Sequence, residues 1–129
     1  MFDHIGFPVA DVARSRSFYL AALAPLDITI AKEVTAEMTG GDVYFGFGLN
    51  GRPQFWIGSG HKIEGRLHVA FAAKTRGHVE AFYRAALAAG GVDNGAPGLR
   101  PHYHAHYYAA FVIGPDGHNI EVVCHEAGA

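Results

Sequence analysis

Two spacings of apolar and polar positions alternate along this chain, and the alternation happens twice. Over residues 2–9 the period is two: Asp3, Ile5, Phe7 and Val9 share one face and His4, Gly6 and Pro8 the other, which predicts a strand. From Val12 the spacing lengthens to that of a helix, with Ser15, Tyr19, Ala22 and Leu23 on its apolar face, Asp11 placed to cap it and Pro25 to stop it. Three further strands are predicted over residues 28–34, 43–48 and 54–57. Gly40-Gly41 separates the first two, and Asn50-Gly51-Arg52-Pro53 separates the last two; its Asn50-Gly51 pair suggests a tight hairpin.

The same order returns from residue 66. Leu67, Val69 and Phe71 oppose His68, Ala70 and Ala72 along a strand. Thr75 then caps a helix bearing Val79, Phe82, Tyr83, Ala86 and Leu87, and Gly90-Gly91 ends it. Strands follow over residues 92–97, 107–113 and 119–124, with Gly114-Pro115-Asp116-Gly117 as the last turn. An offset of 64 residues lays His68 on His4, Phe71 on Phe7, Phe82-Tyr83 on Phe18-Tyr19 and Leu87 on Leu23, with 8 identities in 21 aligned positions. Discounting alanine, composition alone would supply about one identity. The chain therefore reads as an internal duplication, an α+β fold of two strand-helix-strand-strand-strand modules over residues 1–58 and 66–126, joined by a glycine-rich link within a single domain of 129 residues.

Composition narrows what such a fold does. The formal net charge is −2, so the basic footprint of a nucleic-acid partner is missing. Cys124 is the only cysteine, which excludes an internal disulfide, and its place on an apolar strand face suits a buried, inert thiol. With no signal peptide and no apolar run of membrane-spanning length to be read, the expectation is a cytoplasmic protein without a membrane partner. Nine histidines are several times ordinary usage, and they point to metal or proton chemistry.

Both duplicated histidines lie on the strand face opposite the large apolar residues, with only Gly6 or Ala70 and Ala72 beside them. On the last strand Ile120, Val122 and Cys124 form the apolar face, which turns Glu121 to the side of the histidines. His4, His68 and Glu121 are thus expected to converge as three metal ligands that leave positions open for water or substrate. The bland account is two ordinary strand histidines copied by duplication and a solvated carboxylate; the shared face argues for the ligand set.

With these residues the sequence resembles the vicinal oxygen chelate superfamily, which includes glyoxalase I, type I extradiol dioxygenases, fosfomycin-resistance enzymes and bleomycin-binding proteins. The resemblance rests on the paired modules, on His4 and His68, and on Gly114-Pro115-Asp116-Gly117-His118-Asn119-Ile120-Glu121, similar to the family's turn into its ligand glutamate. It implies two βαβββ modules curled into an open, barrel-like mixed sheet around a cleft, a divalent metal and often a homodimer. Two departures stand out. The first module's last strand, Gln54-Phe55-Trp56-Ile57, offers no carboxylate as fourth ligand, only Gln54, and the offset sets Ile57 against Glu121. The tyrosine that dioxygenases place ten residues before the glutamate is Phe111 here, with Tyr107 and Tyr108 displaced.

The leading expectation is a metal-dependent lyase, isomerase or dioxygenase. In it His4, His68 and Glu121 hold Fe(II), Mn(II), Ni(II) or Zn(II), and the metal chelates adjacent oxygens of a small-molecule substrate, stabilising an enolate-like or catecholate anion. Glu121, His106 and Tyr108 are the candidate catalytic groups, the last two as proton shuttles. Trp56, Phe47, Arg100, His102, His104 and Phe111 are the candidate substrate contacts, with core packing as the competing role for the aromatic ones. The alternative is a metal-free protein that sequesters a drug between aromatic walls, as the bleomycin-binding branch does.

Overall fold

The computed structural model describes residues 1–128. The first module runs β1 (Ile5–Val9), α1 (Val12–Leu23), β2 (Thr29–Val34), a short α2 (Ala36–Thr39), β3 (Tyr44–Gly48) and β4 (Phe55–Ser59). The second runs β5 (His68–Ala72), α3 (Arg76–Ala88), β6 (Val92–Leu99), β7 (Tyr108–Ile113) and β8 (Asn119–Cys124). Each module builds its own four-stranded mixed sheet, in the order β1-β4-β3-β2 and β5-β8-β7-β6, and neither sheet closes. In both, the first strand lies parallel to the last and the other pairs are antiparallel, so the repeat read from the sequence is a repeat of topology.

The local signals act as the residue chemistry dictates. The Asp11 carboxylate accepts the Arg14 N–H at 3.0 Å and opens α1; the Thr75 hydroxyl accepts the His78 N–H at 3.2 Å and opens α3. Thr35 caps α2, one turn of helix inside a stretch expected to contain only a turn. Asn50 and Gly51 have φ of 53° and 74°, the left-handed pair of a tight turn. That turn sits inside a longer connection from Gly48 to Phe55, so the hairpin is looser than Asn50-Gly51 suggested. The outer strands β2 and β6 both slip register against their neighbours, β6 at Gly95 and again before Gly98.

One core unites the modules. The inner faces of β1, β3 and β4 (Phe7, Val9, Phe45, Phe47, Phe55, Ile57) and of β7 and β8 (Ala110, Val112, Ile120, Val122, Cys124) bury against α1 and α3. The two helices pack on each other, and Phe55 meets Phe71 edge-to-face across the modules at 5.1 Å between ring centres. His118 belongs to this seam. It is fully buried, its Nδ1 accepts the Leu67 N–H at 3.0 Å and its ring stands edge-on to Phe7. Burial depresses its affinity for a proton. Among the described residues no helix is long and apolar enough to cross a membrane.

Candidate metal centre and ligand cleft

The outward face of each sheet carries the candidate chemistry, and strand pairing decides what stands there. In the second module Ala70 on β5 and Phe111 on β7 flank Glu121 on β8, so Glu121 points outward from the middle of the sheet. It is nonetheless only 1% exposed, because side chains close over it. His68 Nε2 donates to Glu121 Oε1 at 2.8 Å, and the Tyr107 hydroxyl donates to Glu121 Oε2. A buried carboxylate needs such partners, and both of its oxygens have one. Burial, and then the carboxylate it serves, push the Tyr107 phenol well above its usual range, so it stays protonated at neutral pH.

The expected three-ligand set divides. His68 and Glu121 come together, but His4 stands on the outward face of the other sheet, its side chain 60% exposed and its Nδ1 hydrogen-bonded to Asp3 at 2.7 Å. Among the described residues no three His, Cys, Asp or Glu side chains gather closely enough to hold an ion. The reason is topological. β1 pairs only with β4 and β5 only with β8, so the two modules of one chain present their outward faces separately. The two donors that do meet suit an ion: at bond lengths near 2.0–2.2 Å, neighbouring ligands lie roughly 3 Å apart. The separation of His68 Nε2 and Glu121 Oε1, 2.8 Å, falls there, and the His68 side chain remains 55% exposed.

The proton-shuttle candidates are corrected in register. Tyr108 pairs with Cys124 and faces inward, where its hydroxyl donates to Glu80 of α3 at 2.7 Å and its ring meets Arg76. Tyr107 takes the place beside Glu121. The same period-two count that turned Glu121 outward contained this: residues 107, 109 and 111 share Phe111's parity, and 108 does not. His106 is exposed, its backbone N–H donating to His104 Nδ1. His102, His104 and His106 lie in the loop between β6 and β7, as Pro101 implies, and do not form a strand face.

Among the substrate candidates, Arg100 is anchored to the carbonyls of Gly98 and Ala96 and lies over the Phe111 ring, which neighbours His68. His102 packs on Tyr103. His104 stacks on His125, with 2.6 Å between Nε2 and Nδ1, and both rings meet Tyr107 edge-on. His125 lies just beyond the last predicted strand and carried no motif. Phe47 does not line the outward cleft: it is fully buried on the inner face of β3, against Tyr19 and Phe55.

Trp56 lines an opening on the first sheet. A cleft of about 470 Å³ lies on the outward face of the first sheet, walled by His4, Gly6, Pro8, Tyr44, Trp56 and Gly58. The ladder also resets the alignment of the modules. Gly6 pairs with Trp56 as Ala70 pairs with Glu121, so Trp56, not Ile57, occupies the glutamate's place in the first module. Ile57 is in the core. Gln54 precedes β4, and its carbonyl accepts the Ile5 N–H.

Comparison with known proteins agrees with this architecture. The family model of the Glyoxalase/Bleomycin resistance protein/Dioxygenase superfamily matches residues 1–122, and the chain belongs to that superfamily. No curated protein matches it. A glyoxalase/bleomycin resistance protein from Albidiferax ferrireducens T118 is 26% identical, with a TM-score of 0.72 over 96% of this chain and 98% of that one. Glyoxalase I from Zea mays is 18% identical with a TM-score of 0.72; the alignment covers 95% of this chain but only 45% of the maize protein. A fosfomycin resistance protein from Listeria monocytogenes, complexed with Mn(II) and sulfate, is 15% identical with a TM-score of 0.67, covering 96% and 91%. The last two share the fold.

Proposed function

We propose that this chain is a metal-dependent enzyme acting on a small molecule with two adjacent oxygens. In this reading His68 and Glu121 hold a divalent ion together with His4 of a second copy, in a homodimer that works in the reducing cytoplasm. The observation that carries it is the Glu121–His68–Tyr107 cluster, a buried carboxylate with an exposed imidazole at hydrogen-bond distance on an outward sheet face. The Mn(II) complex of the Listeria relative makes a divalent ion of the Fe, Mn, Ni or Zn group the natural occupant.

A bound ion would supply Lewis-acid stabilisation of an oxyanion on the substrate. The protein groups around it have separate tasks. Glu121 keeps one oxygen on Tyr107, which fixes the carboxylate's orientation toward His68. The Tyr107 phenol, held protonated with its one hydrogen on Glu121, is a positioning group and not a base. Arg100, stacked on Phe111, adds positive charge at the same face, and His106 on the loop above is the proton carrier.

The test is metal content. Protein from metal-supplemented cells, or reloaded anaerobically and desalted, should retain close to one ion per chain, and His68→Ala or Glu121→Ala should retain none. Mixing His4→Ala chains with Glu121→Ala chains should restore one site per mixed dimer. If wild type and both variants are equally metal-free, the enzyme reading fails. The metal-free drug-binding alternative would then account for the aromatic cleft.

A further inference from the structure

The outward face of the first sheet is built unlike its counterpart. Tyr44 pairs across the strands with Gly58, and Trp56 pairs with Gly46 on one side and Gly6 on the other. A Cβ built on Gly46 would come within 2.8 Å of the indole's Cε2 and Cζ2. One on Gly58 would come within 2.5 Å of the Tyr44 ring, and one on Gly6 within 2.9 Å of Trp56 Cβ. No side chain fits at Gly46 or Gly58 while the rings stay where they are, so both rings lie down across bare backbone. Glycine weakens a strand interior. Here it lets an indole and a phenol form the floor of the cleft of about 470 Å³, with His4 at its rim. Tyr44 keeps 38% of its surface exposed. None of the residues lining the cleft is a carboxylate, a lysine or an arginine.

We propose that this cleft binds a planar aromatic or conjugated ring, stacked on Trp56 with Tyr44 beside it. The inference deepens the proposed function by naming its substrate class, yet the binding itself needs neither the ion nor His68 and Glu121. Ring stacking is selective for flatness: a saturated ring of the same size buries similar area but gains no offset or edge-to-face contact.

Trp56 is the chain's only tryptophan, so its indole N–H is a single, assigned NMR signal. The full-length protein in EDTA is titrated with catechol and, separately, with cis-cyclohexane-1,2-diol, which has the same adjacent oxygens on a puckered ring. Catechol should move the indole signal saturably, with an affinity roughly tenfold above that of the diol, the upper end of what ring contacts add beyond burial. Trp56→Leu, followed through ligand signals, should remove the preference. Gly46→Ala, which presses on the indole and on Pro53, should weaken it while circular dichroism shows the fold retained. Equal response to both probes, or no response to either, overturns the proposal. So does an indole signal that shifts with protein concentration alone and is then insensitive to catechol, since a second copy would be covering the floor. Because chelator is present throughout, failure here leaves the metal reading untouched, and failure of metal retention leaves this one untouched.

Discussion

The two modules share a topology and part at the centre of their outward faces. At the centre of the last strand, where it pairs with the first, the second module has Glu121 and the first has Trp56. Around Glu121 the neighbouring strands supply Phe111, Ala70 and the overhanging Tyr107 and His68, and the carboxylate is buried and doubly hydrogen-bonded. Around Trp56 they supply Gly46 and Gly6, and the indole lies flat in an open cleft. Duplication preserved the inner faces, which must fill one common core, and let the outer faces diverge. One became a buried polar cluster and the other an aromatic floor.

The largest expected effect tests the division between inner and outer faces. Phe47→Ala empties a fully buried position and should cost about 3–5 kcal/mol by chemical denaturation, with metal retention unchanged under conditions where it remains folded. A pocket role would invert that pattern. Next comes the difference between modules. Glu121→Ala should weaken metal binding by more than about 100-fold, since even groups that only support a ligand cost 10–100-fold, whereas Trp56→Leu should leave it intact by calorimetry.

The register of the tyrosines gives a finer test. Tyr107→Phe removes a hydrogen bond to a buried carboxylate and should cost about 1.5–2 kcal/mol, while Tyr108→Phe, losing an exposed bond to Glu80, should cost about 0.5 kcal/mol. Equal losses would break the parity argument. The smallest effect concerns the seam. His118 binds a proton less readily when folded than at the 6.5 of a free imidazole, so the unfolded chain holds more protons between those two values. Its contribution is whole above about pH 6.5 and is lost as pH falls through that window. The thermal midpoint should therefore drop more steeply between pH 7 and pH 5 for the wild type than for His118→Gln, and parallel curves would remove His118 from the account.

These differences mark how far the sequence could be read. Helix caps, strand parity and the duplication are local signals, and Asp11, Thr75, His68 and Glu121 stand where such signals place them. Register between modules is not local. A fixed offset set Ile57 against Glu121, but Gly46 and Phe111 already stand 65 apart (111 − 46), as do Trp56 and Glu121 (121 − 56), so a residue gained before β7 shifts the match to Trp56. The separation of His4 from His68 depends on which strands pair across the modules, something no periodicity encodes. His125 met His104 through a loop closure formed by the Arg100 N–H and the Tyr107 carbonyl, equally beyond pattern.

The slipped ladders of β2 and β6 carry one more implication. A straight outer strand offers its free backbone groups to any similar strand that drifts past, and continuous sheets then grow from chain to chain. Both of these strands are kinked out of step with their neighbours, and β6 also contains Pro97, which has no amide hydrogen to give. Copies of this protein are thereby hindered from zipping together along these two rims.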